Sequence, residues 1–158
     1  MTTQPIPKKR IVLLFSDTGG GHRSAADAIM EALALEFPDV FDTQKIDAFR
    51  QYTPPPFSYA PEIYPPLTTM PNFWLFNYRL IDGSRRNRAL NRAFWPYLRN
   101  SFIRLVQENP ADLYVSVHPM MNGAMTHALK GRGIPFATVV TDMVSTHALW
   151  FDPHADLI

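Results

Sequence analysis

Hydrophobic and polar positions along the chain follow two periods, one typical of buried strands and one typical of helices. Short apolar runs predict four strands, at residues 11–15, 40–49, 113–117 and 134–140. Apolar residues at helical spacing predict helices over residues 22–36, about 85–108 and 120–130. Alternation of strands and helices predicts an α/β fold, with a right-handed, mostly parallel, Rossmann-like sheet flanked by helices.

Two of these helices carry more detailed predictions. On the first helix, the buried face is predicted to hold Ala25, Ile29, Ala32 and Leu33. On the helix from about residue 85, an apolar stripe is predicted to be core and comprises Leu90, Phe94, Leu98, Phe102 and Leu105 or Val106. Pro96 inside this helix predicts a kink or a break into two helices.

A glycine-rich loop joins the first strand to the first helix. Its residues are Thr18, Gly19, Gly20 and Gly21, and His22 follows at the predicted helix start. Unpaired backbone N–H groups at this junction would suit an anion, although the first turn of any α/β domain can look the same. The two common phosphate-loop patterns fail, because no Gly-Lys-Ser/Thr follows and Ser24 replaces the last glycine of the dinucleotide motif.

Polar residues follow three of the predicted strands, and the carboxyl ends of parallel strands meet at one edge of a sheet. We therefore expect a single crevice formed by Asp17 to His22, by His118 and by Asp142 to His147. A histidine beside a carboxylate can remove a proton from a hydroxyl near neutral pH, which suits transfer of a phosphate-activated group to an alcohol. Metal binding by the three histidines is a weaker alternative, because no pair has the i, i+4 spacing of a helix-borne site. Asp47, near the end of the second strand, is predicted to be solvated; the alternative is contact with a ribose hydroxyl, as in some dinucleotide-binding folds.

The middle of the chain, about residues 51–104, is rich in proline and aromatic residues and then in arginine. Prolines exclude a long helix between residues 51 and 82. Between residues 79 and 104 there are seven arginines and a single acid, Asp82. Aromatic residues followed by arginines predict a monotopic contact with an anionic membrane, made by Trp74, Phe76, Arg85 and Arg86. The alternative is that the aromatic residues fill a local core.

Composition limits the class of protein. A chain of 158 residues that is 46% hydrophobic can bury one core, so residues 1–158 are predicted to form one domain. A net charge of +1 argues against nucleic-acid binding, and the absence of cysteine suits a reducing interior. The first seven residues lack the apolar core of a signal peptide. Residues 155–158 resemble the beginning of a further strand, so the chain is expected to be a fragment.

Two motifs resemble those of one enzyme family. Residues 16–26, Ser-Asp-Thr-Gly-Gly-Gly-His-Arg-Ser-Ala-Ala, resemble the opening motif of the monogalactosyldiacylglycerol synthase and processive diacylglycerol glucosyltransferase family. Val140-Thr141-Asp142, followed by His147 and Trp150-Phe151, resembles that family's second signature. The glycine loop is more distantly similar to that of the peptidoglycan lipid-linked glycosyltransferases.

The resemblance implies the N-terminal, acceptor-binding lobe of a GT-B glycosyltransferase, without the C-terminal donor domain. It implies inverting transfer of a hexose from a UDP-sugar to diacylglycerol, without a metal or other cofactor. His22 then matches the proposed general base, and Thr18, Gly19, Gly20 and Gly21 match the loop that approaches the donor diphosphate. The expected acceptor or cleft residues are Asp17, His118, Asp142, His147 and Trp150.

The same resemblance sets the expected location and limits. We expect a peripheral, monotopic protein on the cytoplasmic face of a membrane, and no nucleic-acid partner. A fragment without the donor lobe should not turn over, and the missing lobe would distinguish galactose from glucose. The alternative is a non-catalytic, Rossmann-like module that binds a membrane or an anion.

Overall fold

The computed structural model describes residues 7–18, 20–70, 82–142 and 146–158. Four parallel strands form one sheet in the order β2-β1-β3-β4. The strands are β1 (Lys9–Phe15), β2 (Phe41–Asp47), β3 (Leu113–Ser116) and β4 (Phe136–Thr138). The helices are α1 (Gly20–Glu36), α2 (Ala48–Tyr52), α3 (Ala60–Thr68), α4 (Ser84–Glu108) and α5 (Asn122–Leu129). The predicted Rossmann-like class is confirmed.

Strand β1 is the centre of the sheet and is buried on both faces. Ile11, Leu13 and Phe15 pack in a cluster with Ala26 of α1. Val12 and Leu14 point to the opposite face, into a larger cluster that contains residues of α2, α4 and α5. This two-sided burial is the reason that the strand is a continuous apolar run rather than an alternating one.

Helix α1 begins at Gly20, two residues before the predicted start. Its buried or partly buried apolar residues are Ala26, Ile29, Met30 and Leu33. Of the four predicted inward residues, Ala25, Ile29 and Leu33 are partly buried, whereas Ala32 is exposed. Ala26 is fully buried and belongs to the cluster that contains Ile11, Leu13 and Phe15.

The second strand ends at Asp47, earlier than predicted, because this residue caps the next helix. Its carboxylate accepts a hydrogen bond from the backbone N–H of Arg50 at 3.0 Å, and α2 starts at the following residue. Asp47 is only 4% exposed, so the prediction that it is solvated was wrong. Thr53 closes the short helix through a backbone bond to Phe49.

Helix α4 continues through Pro96 without dividing into two helices. Pro96 removes one backbone donor, yet Leu98, Phe102 and Leu105 beyond it are buried in the larger core cluster. Their burial holds the last turns in place. Phe94 is 44% exposed, however, so the prediction that it belongs to the core was wrong.

Helix α5 lies close to α4 and ends at two glycines. A side chain at Gly123 would collide with the Asn91 amide, so the small residue permits the close approach of the two helices. The helix begins with a 3₁₀ turn, Pro119–Met121, rather than at residue 120. Gly131 and Gly133 have φ values of +76° and +67°, which explains the predicted helix end there.

The C-terminal residues meet the edge of the sheet. Leu157 forms a single parallel bridge with Ala137 of β4, at the place where a further strand was predicted to begin. Strand β4 itself is shorter than the predicted range of 134–140. In the described part of the chain, no helix has both the length and the apolar composition needed to cross a bilayer.

Candidate functional site

The carboxyl ends of the strands meet at one edge of the sheet, as the sequence predicts. Phe15 of β1 pairs with Asp47 of β2, and Leu14 pairs with Ser116 of β3. The next residues along each strand therefore leave the sheet side by side. The crevice at this edge contains Thr18, His22, His118, Thr141, Asp142 and Trp150.

Thr18 and His118 form a buried pair, although they are a hundred residues apart in sequence. The Thr18 hydroxyl lies 2.7 Å from Nε2 of His118. The ring of Phe49 packs edge-on against the His118 ring at 5.6 Å. Ser116 anchors the His118 backbone, because its hydroxyl donates to the His118 carbonyl at 2.9 Å. The histidine is thus fixed in position rather than free at the surface.

His22 lies in the first turn of α1 and against His118. The two ring centroids are 4.6 Å apart in an edge arrangement, and the Trp150 ring lies 6.1 Å away. Nδ1 of His22 is 3.0 Å from the hydroxyl of Thr141, which follows β4. This bond joins the exits of β1 and β4 across the crevice.

Burial sets the charge state of both histidines. It lowers the pKa of His22, although the negative charge of Asp142 and a bond to the backbone of Val117 act in the opposite direction. Burial also holds the pKa of His118 well below its ordinary value, and the charge of His22 adds to this effect. Both rings are therefore neutral near pH 7, and His22 has a carboxylate nearby to stabilise it when it becomes protonated.

Asp142 and Trp150 form a second pair. The indole Nε1–H of Trp150 donates to Oδ2 of Asp142 at 2.8 Å, and Trp150 is fully buried. Asn122 supports this arrangement, because its amide lies 3.3 Å from the carbonyls of Leu149 and Trp150. The carboxylate near His22 is consequently held in place by packing as well as by hydrogen bonding.

His147 has a different surrounding from the other predicted crevice histidines. Its Nδ1 accepts a bond from the Leu149 N–H at 3.0 Å and so caps the 3₁₀ turn Ala148–Trp150. Its Nε2 lies 3.9 Å from a carboxylate oxygen of Asp82, which also accepts from the Ala148 N–H. These contacts give His147 a structural role in the turn that carries Trp150.

Asp17 lies at the rim of the crevice and forms a two-pronged ion pair with Arg23. This bond lowers the pKa of the Asp17 carboxyl, so the group stays ionised near neutral pH. The Arg23 guanidinium also lies 4.8 Å from the ring centroid of Phe15. The ion pair therefore ties Asp17 to the first turn of α1.

The glycine loop is open in front of α1. A side chain at Gly21 would meet no atom within 4 Å. Gly20 and Gly21 form the start of the helix, where backbone N–H groups lack partners within the helix. Gly19 lies outside the described residues.

The predicted membrane residues fall into two groups. Trp74 and Phe76 lie outside the described residues. Arg85 and Arg86 are exposed in the first turn of α4, beside the Asp82 that contacts the 148–150 turn.

The sequence also left a metal site as an alternative. The part of the chain that the structure describes holds no group of three or more His, Asp or Glu side chains placed to bind a metal ion.

Sequence reasoning missed several crevice residues. Thr141 and Asn122 find their partners only in the folded chain, and neither has a local pattern that reveals its role. Tyr64 of α3 was also missed. Burial raises the pKa of its hydroxyl, and the negative charge of Asp142 acts in the same direction.

A family model described as monogalactosyldiacylglycerol (MGDG) synthase matches residues 22–158. The chain belongs to the monogalactosyldiacylglycerol synthase family. This confirms the resemblance found in the sequence. The residues matched by the MGDG synthase model include His22, His118, Thr141, Asp142 and Trp150, whereas the glycine loop precedes them.

Individual MGDG synthases are similar along most of the chain. It is 34% identical over 152 residues to the chloroplastic monogalactosyldiacylglycerol synthase of Spinacia oleracea, covering 94% of this chain and 29% of that protein. It is 31% identical over 147 residues to monogalactosyldiacylglycerol synthase 1 of Arabidopsis thaliana, covering 90% of this chain and 28% of that protein. The chain thus spans less than a third of the length of these relatives.

Proposed function

We propose that this chain is the acceptor-binding part of an inverting glycosyltransferase that moves a hexose from a UDP-sugar to diacylglycerol. The names of the relatives support galactose as the hexose and diacylglycerol as the acceptor. The proposal assigns the general base to His22. Most of the donor site would belong to a part of the protein that this chain does not contain, so we expect no turnover from these 158 residues alone.

The surroundings of His22 carry the proposal. Its ring is neutral near pH 7 because burial lowers its pKa, and it lies in the opening turn of α1 beside the charge of Asp142. A neutral imidazole with a neighbouring carboxylate can accept a proton and then be stabilised as the cation. Trp150 supports this role, because its bond to Asp142 keeps the carboxylate in position.

The proposed reaction follows from these positions. His22 takes the proton of the free diacylglycerol hydroxyl, while the oxygen of that hydroxyl forms a bond to the anomeric carbon of the sugar. The bond from that carbon to the diphosphate breaks, and UDP leaves with the electron pair. The open start of α1 suits the developing negative charge, because its unpaired N–H groups and the helix dipole favour an anion.

Helix α4 supports the proposal of a membrane-bound acceptor. Four exposed arginines at helical spacing, named here the α4 arginine stripe, are Arg85, Arg88, Arg92 and Arg99. Among the described residues, no carboxylate lies within ion-pairing distance of any of them. On a neighbouring flank, the half-exposed Phe94 packs against Phe57 with ring centroids 5.4 Å apart. We therefore expect a peripheral protein on the cytoplasmic face of an anionic membrane.

The test is His22→Ala in the full-length protein that contains this chain. Loss of a general base should lower kcat by about 10²- to 10⁴-fold in a radiolabelled UDP-galactose transfer assay. His154→Ala is the matched control, because His154 is exposed and lies in the turn after the 3₁₀ segment. Activity of His22→Ala within a few-fold of the wild type would exclude His22 as the base.

The full-length wild-type protein tests the non-catalytic alternative. Binding to anionic vesicles without transfer from either UDP-galactose or UDP-glucose would favour a membrane- or anion-binding module. Transfer from one of the two sugars would reject the module and identify the donor at the same time.

A further inference from the structure

The direction of the hydrogen bond between Thr18 and His118 depends on which ring nitrogen of His118 carries the proton. Nε2 of His118 lies 2.7 Å from the Thr18 hydroxyl oxygen. Nδ1 of the same ring is buried and has no hydrogen-bond partner among the residues that the structure describes. The neutral ring carries a single proton, which sits on one of these two nitrogens.

The two arrangements differ in what they leave unsatisfied. If the proton were on Nδ1, that buried N–H would have no acceptor, and the Thr18 hydroxyl would have to donate its proton to Nε2 of His118. If it is on Nε2, the N–H is satisfied by Thr18, and only a lone pair is left bare on Nδ1. Buried polar side-chain groups without hydrogen-bond partners are rare in folded proteins, so the form that satisfies the N–H is favoured.

We infer that His118 is a positioning residue whose Nε2–H donates to Thr18, so that the Thr18 hydroxyl is left to donate to a phosphate oxygen at the glycine loop. The location of Thr18 supports a phosphate-type ligand. It is the first residue of the loop, and the backbone N–H groups at the open start of α1 are the other donors there. The identity of that ligand as a nucleotide diphosphate rests on the proposed function, whereas the direction of the hydrogen bond does not.

The surroundings of His118 fit a permanently neutral donor. Its ring packs against Phe49 on one side and His22 on another, and the side chain is almost fully buried. A second proton would place a buried cation beside His22 with no carboxylate in contact with His118 among the described residues. The low pKa of His118 agrees with this arrangement.

The hydrogen-bond direction can be read directly by NMR. Long-range ¹H–¹⁵N spectra of the full-length protein labelled with ¹⁵N-histidine distinguish protonated from bare ring nitrogens for each histidine. The His118→Gln variant assigns the signals by the set that disappears. We expect a protonated Nε2 and a bare Nδ1 for His118 at pH 7, and the reverse pattern would overturn the inference.

Paired substitutions test the consequence for ligand binding in the full-length protein. Thr18→Val removes the hydroxyl and should weaken UDP binding by about 10- to 100-fold, as for a hydrogen bond to a charged group, whereas Thr18→Ser should stay within about 3-fold. His118→Gln retains a donor near the Nε2 position and should bind nearly as the wild type does. His118→Asn has no donor there and should resemble Thr18→Val.

Two probes identify the source of the phosphate. Calorimetry with UDP and sedimentation with vesicles of phosphatidylcholine containing phosphatidylglycerol are run on all four variants. A difference between Val and Ser at position 18 with either probe supports the inference and names the ligand as nucleotide or lipid headgroup. Equal binding of both probes by Thr18→Val and Thr18→Ser would overturn it, even if the NMR result holds.

Discussion

The crevice and the α4 arginine stripe use polar residues in opposite ways. In the crevice, two pairs of polar side chains join residues that are distant in sequence, Thr18 with His118 and His22 with Thr141. On α4, the four arginines of the stripe are exposed and have no carboxylate partner among the described residues. Replacement of a paired crevice residue therefore leaves its partner without a hydrogen bond. Each exposed arginine instead adds a weak, salt-dependent contribution to the charge of the helix surface.

Replacement of Trp150 should give the largest change in stability, because it is fully buried and holds Asp142. Trp150→Ala should lower the free energy of unfolding by about 3–5 kcal/mol, measured by urea denaturation. Trp150→Phe keeps most of the packing and loses only the indole donor, so its effect should be clearly smaller. Equal losses in the two variants would mean that packing around the ring contributes little.

Acid should destabilise the crevice through His118. Its pKa is lowered in the folded protein, so the unfolded chain binds the proton more readily, and stability is lost as the pH falls below about 6.5. One such group changes the free energy of unfolding by up to about 1.4 kcal/mol per pH unit. His22, whose pKa is also lowered, acts in the same direction.

The measurement is urea unfolding at several pH values between 7.5 and 5. His118→Gln should show a weaker pH dependence than the wild type, because it removes one of these groups and keeps the donor to Thr18. His127→Gln is the control, since His127 is exposed and stacks on Trp95. An unchanged slope in His118→Gln would contradict the lowered pKa as the origin of the effect.

Single arginines of the stripe should give the smallest effect. Arg88→Gln should reduce binding to anionic vesicles by about fivefold at low salt, which corresponds to about 1 kcal/mol, and hardly at all at high salt. Lys8→Gln removes the same charge at the opposite edge of the sheet, where Lys8 pairs with Asp39. Equal losses for the two variants would indicate a response to net charge rather than a membrane-contact face.

Much of the fold follows from local pattern. The all-apolar run of β1, the glycines after it and Gly131 with Gly133 each specify an element or its end, and the predicted parallel sheet is observed. The predictions that failed concern tertiary contacts. Asp47 was predicted to be solvated because its sequence neighbours do not reveal that it caps α2, and Phe94 was predicted to be core because helical spacing alone does not say which flank is covered.

The sequence by itself determined the class of sheet, the family, and the edge at which Asp17, His22, His118 and Asp142 gather. These follow from periodicity and motif, which need only neighbouring residues. Only the tertiary structure decided how those side chains are paired: His118 with Thr18, His22 with Thr141, Asp142 with Trp150, and His147 away from them in its own turn. The physical reason is that the first two pairs join residues 100 and 119 positions apart, which the parallel strands bring to the same edge. The other two depend on how the segment after β4 folds back on that edge, which local pattern does not specify.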